Sequence, residues 1–188
     1  MANKVLFGFS DLYVGTYTVG EGGTVTLGTP YHQAGAVGFN PESSSDENNF
    51  RADNTNYYTS YGTGGRSGDL EVAMFDDAFK TQFLGYVTLD DGGLAEIKNA
   101  QKPNIYAMWA VQGDEAERKV IMYNGTMGNI SRSYNTTDEE VEPVTETIPV
   151  SFVGDNKTGI TVVTYEKGDA GYDTLFTNPP APALPDGE

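Results

Sequence analysis

The stretch Tyr61-Gly62-Thr63-Gly64-Gly65-Arg66-Ser67 has the glycines, hydroxyls and single cation that a phosphate-cradling loop uses. Such a loop needs a glycine five residues before a second glycine, then Lys-Ser/Thr at the mouth of a helix. Here Ser60 stands in the first glycine's place, Arg66 replaces the lysine, and the following residues alternate like a strand. The reading that remains is a flexible turn. His32 is the one histidine, the side chain best suited to moving protons near neutral pH. It lies in Thr29-Pro30-Tyr31-His32-Gln33 with no serine–histidine–acid pattern around it, and reads as a surface-loop residue. Paired carboxylates, the equipment of glycoside hydrolysis, occur at Asp76-Asp77, Asp90-Asp91 and Glu139-Glu140. Among 27 acids such pairs are inevitable, and each has a plainer role as helix cap, hairpin turn or solvated loop. Residues 138–142, Asp138 to Glu142, lack the alternating ligands and the glycine of a calcium loop. No catalytic, cofactor-binding or metal residue is expected, and an acid-pair hydrolase is the weakest functional reading.

Composition narrows the classes further. The net charge of −16 opposes nucleic-acid binding, which needs a basic face to displace counterions. The absence of cysteine removes disulfides, thiol catalysis and cysteine-based zinc sites. Met1-Ala2-Asn3-Lys4-Val5-Leu6-Phe7-Gly8 has too short an apolar run for a signal peptide, and no segment approaches membrane-spanning length. A cytoplasmic origin is therefore expected. The glycosylation-like triplets at Asn124, Asn129, Asn135 and Asn156 then read as chance products of an Asn/Thr-rich chain.

The elements that would position any functional group are mostly strands, as 23 Gly, 12 Tyr and many Thr and Val suggest. Residues 12–19 alternate, with Leu12, Val14, Thr16 and Thr18 on one face and Tyr13, Tyr17 and Val19 on the other. Gly20-Glu21-Gly22-Gly23 turns the chain into a short return strand over 24–28. Residues 35–39 read as a strand with Val37 and Phe39 inward. Residues 41–49 (PESSSDENN) read as an exposed loop, and 41–68 as one long arm whose tyrosines argue against simple disorder. Its glycines at 62, 64, 65 and 68 would let it swing. In 69–74, Leu70, Val72 and Met74 share the inward face. Asp76 caps a helix over about 77–84, with Ala78, Phe79, Gln82 and Phe83 at helical spacing and Gly85 as its stop. Asp90-Asp91-Gly92-Gly93 is a hairpin turn. Residues 104–112 (NIYAMWAVQ) are apolar on both faces, which suits a central strand. Residues 117–124 and, more weakly, 127–134 are strands, and 135–143 an acidic loop. Residues 144–153 alternate with Val144, Ile148, Val150 and Phe152 on one face, and Pro149 marks an edge strand or bulge. A last strand covers 160–165, and from Lys167 the Pro-rich chain reads as an extended tail.

Taken in order, several of these segments resemble one family. They are MANKVLFGF at the start, Phe50-Arg51-Ala52-Asp53-Asn54 with Tyr57-Tyr58, and Gly68-Asp-Leu-Glu-Val-Ala73. The series continues through Asp76-Asp-Ala-Phe-Lys-Thr-Gln-Phe-Leu-Gly85 to Glu142-Pro-Val-Thr-Glu-Thr-Ile148. Over roughly residues 1–165 the chain resembles the major tail protein, or tail tube protein, of long non-contractile-tailed bacteriophages of Gram-positive hosts. The PESSSDENN stretch and the Pro-rich end after Gly171 depart from it. The resemblance implies a mainly β fold, a β-sandwich or partly closed barrel with one short flanking helix and a long arm. A domain over 1–166 carrying the arm (about 41–68) is expected, and the Pro-rich composition adds an extended tail over 167–188. The resemblance further implies a structural virion protein of the tail, assembled in the host cytoplasm, whose partner is itself in stacked hexameric rings. The tape-measure, tail terminator and distal tail proteins would adjoin it. Phage DNA would pass through unbound, and neither membrane nor cofactor would be involved. Glu42, Asp46, Glu47, Phe50, Arg51, Tyr57, Tyr58, Tyr61 and Arg66 become candidates for inter-ring or inter-subunit contact, with Asp76, Phe79, Phe83 and Gly85 holding the helix. A different virion β-sandwich, for carbohydrate binding or adhesion, is the alternative.

Overall fold

The computed structural model describes residues 8–52, 55–113, 115–134 and 144–185, with 44–52 and 55–63 described by backbone alone. The first half of the chain forms β1 (Ser10–Val19), β2 (Val25–Leu27), β3 (Tyr31–Gln33), β4 (Ala36–Phe39), β5 (Glu42–Ala52) and β6 (Thr55–Val72). Helix α1 (Asp77–Phe83) follows, then β7 (Val87–Thr88), β8 (Leu94–Ala95), β9 (Ile105–Ala110) and β10 (Lys119–Met127). The chain ends through β11 (Ser131–Arg132), β12 (Glu146–Phe152) and β13 (Val162–Tyr165). The fold is mainly β. One antiparallel sheet runs in the order β2-β1-β9-β10-β12-β6-β4, with β3 on β1, β13 on β10, β11 on β12 and β5 on β6. β7 and β8 make a separate small hairpin around Asp90-Asp91-Gly92-Gly93.

The sheet wraps without closing. In a flat sheet β4 and β9 would lie four strand spacings apart, about 19 Å at ~4.8 Å each. Instead Phe39 of β4 meets Trp109 of β9 edge-on, with ring centroids 5.4 Å apart. Leu12 and Val14 from β1, Leu70 and Val72 from β6 and Ile148, Val150 and Phe152 from β12 share this inner core. Helix α1 plugs it: Phe79 and Phe83 are fully buried, and Phe75, just before the cap, stacks on Phe79 at 4.8 Å.

β9 is buried on both faces, as its composition predicts. Ile105, Ala107 and Trp109 point into the inner core, and Tyr106 and Met108 into a second, outer core. What covers the outer face is the C-terminal segment. The expectation of an extended tail is corrected over 167–178, which form successive turns with Leu175 fully buried. Leu175 and Phe176 are the only large apolar residues in an otherwise polar stretch, and they seat on the waiting apolar face.

Other expectations need correction. Val37 is 49% exposed and Ala36 packs inward instead, because a register shift between Ala36 and Gly38 reverses the alternation. Met74 is 63% exposed. β6 ends at Val72, and the chain turns so that Phe75 takes the inward place. His32 lies on a strand, β3, not in a loop; it pairs opposite Tyr13 and stays exposed. Pro149 is in neither an edge strand nor a bulge, since β12 lies between β10 and β6 in unbroken register. The proline is tolerated because β12 changes partner there. Its ladder with β10 ends at Val150, and β11 takes over at Thr147.

The turn after β12 is tied to β1 through a buried carboxylate. Tyr17 donates its hydroxyl to Asp155 Oδ1 at 2.7 Å, while Lys157 N, Thr158 N and Thr158 Oγ donate to Oδ2. Burial pushes the Asp155 carboxyl up, but the hydrogen bonds from Tyr17 and Thr158 outweigh it and hold it below its ordinary value. The stabilisation is therefore complete above the unfolded-state value, ~3.9, and is lost as pH falls through the lower folded-state value. Asp155→Asn should cost about 2 kcal/mol at neutral pH. That gap from the parent should shrink on acidification, read from urea midpoints across a pH series. For the helix, Phe79→Ala should cost about 3–5 kcal/mol and Gln82→Ala less than about 0.5 kcal/mol by urea denaturation. Equal effects would place the wrong helix face in the core.

Candidate assembly interface

The nine contact candidates all lie on one structure, the antiparallel β5–β6 hairpin. Glu42 pairs opposite Ser67, Asp46 opposite Gly62, Glu47 opposite Tyr61, Phe50 opposite Tyr58 and Arg51 opposite Asn56. Tyr57 follows Asn56 on β6, and Arg66 pairs with Ser43 on one side and Phe152 on the other. The expected loop over 41–49 is thus strand from Glu42 onward. A two-stranded ribbon does not need alternating apolar residues, because neither face is required to enter a core. Backbone pairing alone builds it, so the polar run of β5 gives no periodic signal.

β6 is shared between two jobs. Residues 66–72 pair with β12 and belong to the sheet. Residues 55–63 pair with β5 alone, so that among the described residues the ribbon leaves the sheet with no further strand on either outer edge. Its reach is roughly 30 Å at ~3.3 Å per residue. Such ribbons are marginal in water on their own, and their free N–H and C=O groups are templates for another chain.

The ribbon is rooted rigidly. A Cβ on Gly65 would lie 2.2 Å from the Phe152 carbonyl oxygen, and one on Gly68 2.2 Å from that of Asn40. These two glycines admit close backbone approach and do not have positive φ. The expectation that they let an arm swing is corrected at both positions. Beside the root, Asn40, Glu42, Ser67, Asp69, Met127 and Val150 line an open groove of mixed polar and apolar character.

Behind the root, Asp76 Oδ1 accepts from Phe79 N at 2.7 Å, and its Oδ2 accepts from the Tyr31 hydroxyl at 2.6 Å. That bond, then burial, pushes Tyr31 up to about 12. Gly85 has φ +71, the left-handed conformation that ends the helix. Glu146, missed from the sequence, is buried on β12; its Oε2 accepts from Phe75 N at 2.6 Å and its Oε1 pairs with Arg132. It falls on the same alternation as Ile148 and Val150, and an acid at an inward position was the available signal. Tyr31 had no such signal, since its partner is distant in sequence.

His32 leans on Tyr13 at 4.8 Å, and no acid is hydrogen-bonded to it among the described residues. Asp90-Asp91 sits at an exposed hairpin tip. Glu139-Glu140 and the acidic stretch 138–142 lie outside the described residues. No cluster of three or more His, Cys, Asp or Glu residues suited to a metal occurs among the described residues.

No protein-family model and no curated protein matches the sequence. Among solved structures, the chain is similar to the anti-feeding prophage cap, a tube-terminating cap. The TM-score is 0.48 and the identity 14%, over 88% of this chain and 95% of that one. It is also similar to the sheath/tube terminator of an extracellular contractile injection system in its extended state. There the TM-score is 0.47 and the identity 11%, over 87% of this chain and 99% of that one. A third similarity is to the sheath–tube complex of that system, with TM-score 0.43 and 10% identity over 83% and 88% of the two chains.

If the root is pinned as described, Gly65→Ala and Gly68→Ala should each destabilise by about 1–3 kcal/mol, because the clash is with backbone and cannot rotate away. Amide hydrogen exchange should quicken across the ribbon's root. Unchanged exchange with unchanged stability would return these glycines to a hinge role.

Proposed function

We propose that this chain is a structural subunit of a phage tail, a tube protein that assembles as stacked hexameric rings through which DNA leaves the virion. The observation that carries the reading is the β5–β6 ribbon, which projects from a folded body, has no further strand beside residues 55–63 among the described residues, and holds all nine contact candidates. The ordered sequence resemblance over roughly 1–165 supports the same reading. Closure of open strand edges between subunits removes an aggregation hazard, and rings generated by rotation are the ordinary closed form of a head-to-tail contact. In this reading the ribbon reaches an adjacent subunit and gains there the pairing it lacks alone. The net charge of −16 per chain suits a conduit, since like charge keeps passing DNA from adhering. Tape-measure, terminator and distal tail proteins would be the neighbours at the tube's ends.

Negative-stain microscopy of the concentrated protein is expected to show rings or tubes. A strictly monomeric species by sedimentation, at high concentration and in tail-extract conditions, would overturn the assembly. Deleting 45–63 keeps the root pairs Glu42–Ser67 and Ser43–Arg66, so the body should stay folded by circular dichroism while stacking is lost. Loss of the folded spectrum would show that the ribbon is part of the core.

A further inference from the structure

The outer face of β9, β10 and β13 has a polypeptide seated on it that belongs to no strand ladder. Past Tyr165 the described chain contains no strand. Beyond Lys167, whose N donates to Ala116 O at 3.1 Å, its backbone bonds close turns within the segment, Tyr172 N to Asp169 O and both Thr177 N and Asn178 N to Thr174 O. It is held instead by side chains inserted downward and by side chains of the sheet gripping its carbonyls. Leu175 is fully buried in the cluster of Tyr17, Met108, Ile121 and Tyr123. Phe176 stacks on Tyr13, with centroids 4.7 Å apart and rings 19° from parallel. Lys119 Nζ donates to the Tyr172 carbonyl at 3.0 Å and lies over the Tyr172 and Phe176 rings at 4.0 and 4.6 Å. The Tyr123 hydroxyl donates to the Pro180 carbonyl at 2.9 Å, and Pro182 is buried beyond it.

This is how a groove holds a peptide. Apolar anchors fill pockets, and donors fixed on the groove floor satisfy main-chain acceptors. The connection to the body runs through Gly168, whose φ of +109 is a glycine conformation, three residues past the end of β13 and directly after Lys167, which is tied to Ala116 O and Glu117. We propose that this face is a docking groove for the segment around Leu175-Phe176, and that the segment of a second copy can occupy it in place of the chain's own. Exchange of an identical element between protomers needs no new contacts, only a connection able to turn the other way. The proposal does not depend on the tail reading, since the groove and its occupant are both in one chain.

The test uses a labelled peptide of residues 166–185 as the second copy's segment, with binding read by fluorescence polarisation. In the parent the chain's own segment occupies the groove, which lowers the apparent affinity for a competitor by the fraction of time the groove is free. Leu175→Asp should release that segment, and this variant should bind the peptide at least about tenfold more tightly than the parent does. A peptide carrying the same Leu175→Asp change should not bind. If Leu175→Asp fails to fold by circular dichroism, Phe176→Ala, at a half-buried site, loosens the segment more gently and should shift affinity in the same direction. Equal binding by parent and folded variant would overturn the proposal. So would no binding by a folded variant whose segment has become protease-sensitive.

Discussion

The double burial of β9 is the constraint on which the rest depends. A strand apolar on both sides must be covered twice, and here the two covers are of different kinds. The inner side is covered by the sheet itself, which curls until Phe39 reaches Trp109, with α1 closing the end. The outer side is covered by the C-terminal segment. Each cover has a cost that is met locally. Curling needs the irregular register of β10 between Met122 and Gly125, where a Cβ would strike the Phe152 ring. The C-terminal cover needs polar side chains on the sheet, Lys119 and Tyr123, to satisfy carbonyls that no ladder reaches.

Much of this was legible in the sequence, for physical reasons that name particular residues. The two-sided apolar run of β9, the Asp76 cap with its Phe79/Phe83 face, the Gly85 stop and the two glycine-containing hairpin turns are all local signals. They involve residues within a few positions of one another, where side-chain period and glycine conformation decide the outcome. What was not legible is tertiary. Met74 and Phe75 compete for one inward place, and the end of β6 decides between them. Pro149 looks like an edge residue until the exchange of β10 for β11 along β12 is known. Leu175 and Phe176 look like part of a polar tail until the face that lacks a cover is known.

The candidate interface divides the same way. Sequence could mark residues 41–68 as unusual, weakly apolar and rich in tyrosine, but not as a hairpin. A ribbon built by backbone pairing leaves no periodic trace, because backbone hydrogen bonds are indifferent to which side chains they carry. The glycines of its root were visible but ambiguous. Freedom to move and freedom from a clash call for the same residue, and only the carbonyls of Asn40 and Phe152 beside Gly68 and Gly65 decide between them.

The pairing pattern also implies an order of events as the chain folds. The β5–β6 hairpin joins neighbours in sequence, and its loop is cheap to close. The ladders of β1 with β9 and β6 with β12 join distant parts of the chain, and their loop-closure entropy is lost before any burial compensates. Pairing within the ribbon can therefore begin before the sheet that stabilises it is complete. Its exposed edges are then presented at the stage when unfinished chains are most liable to pair with one another. The net charge of −16 gives whole but incompletely folded chains a mutual repulsion that opposes such encounters.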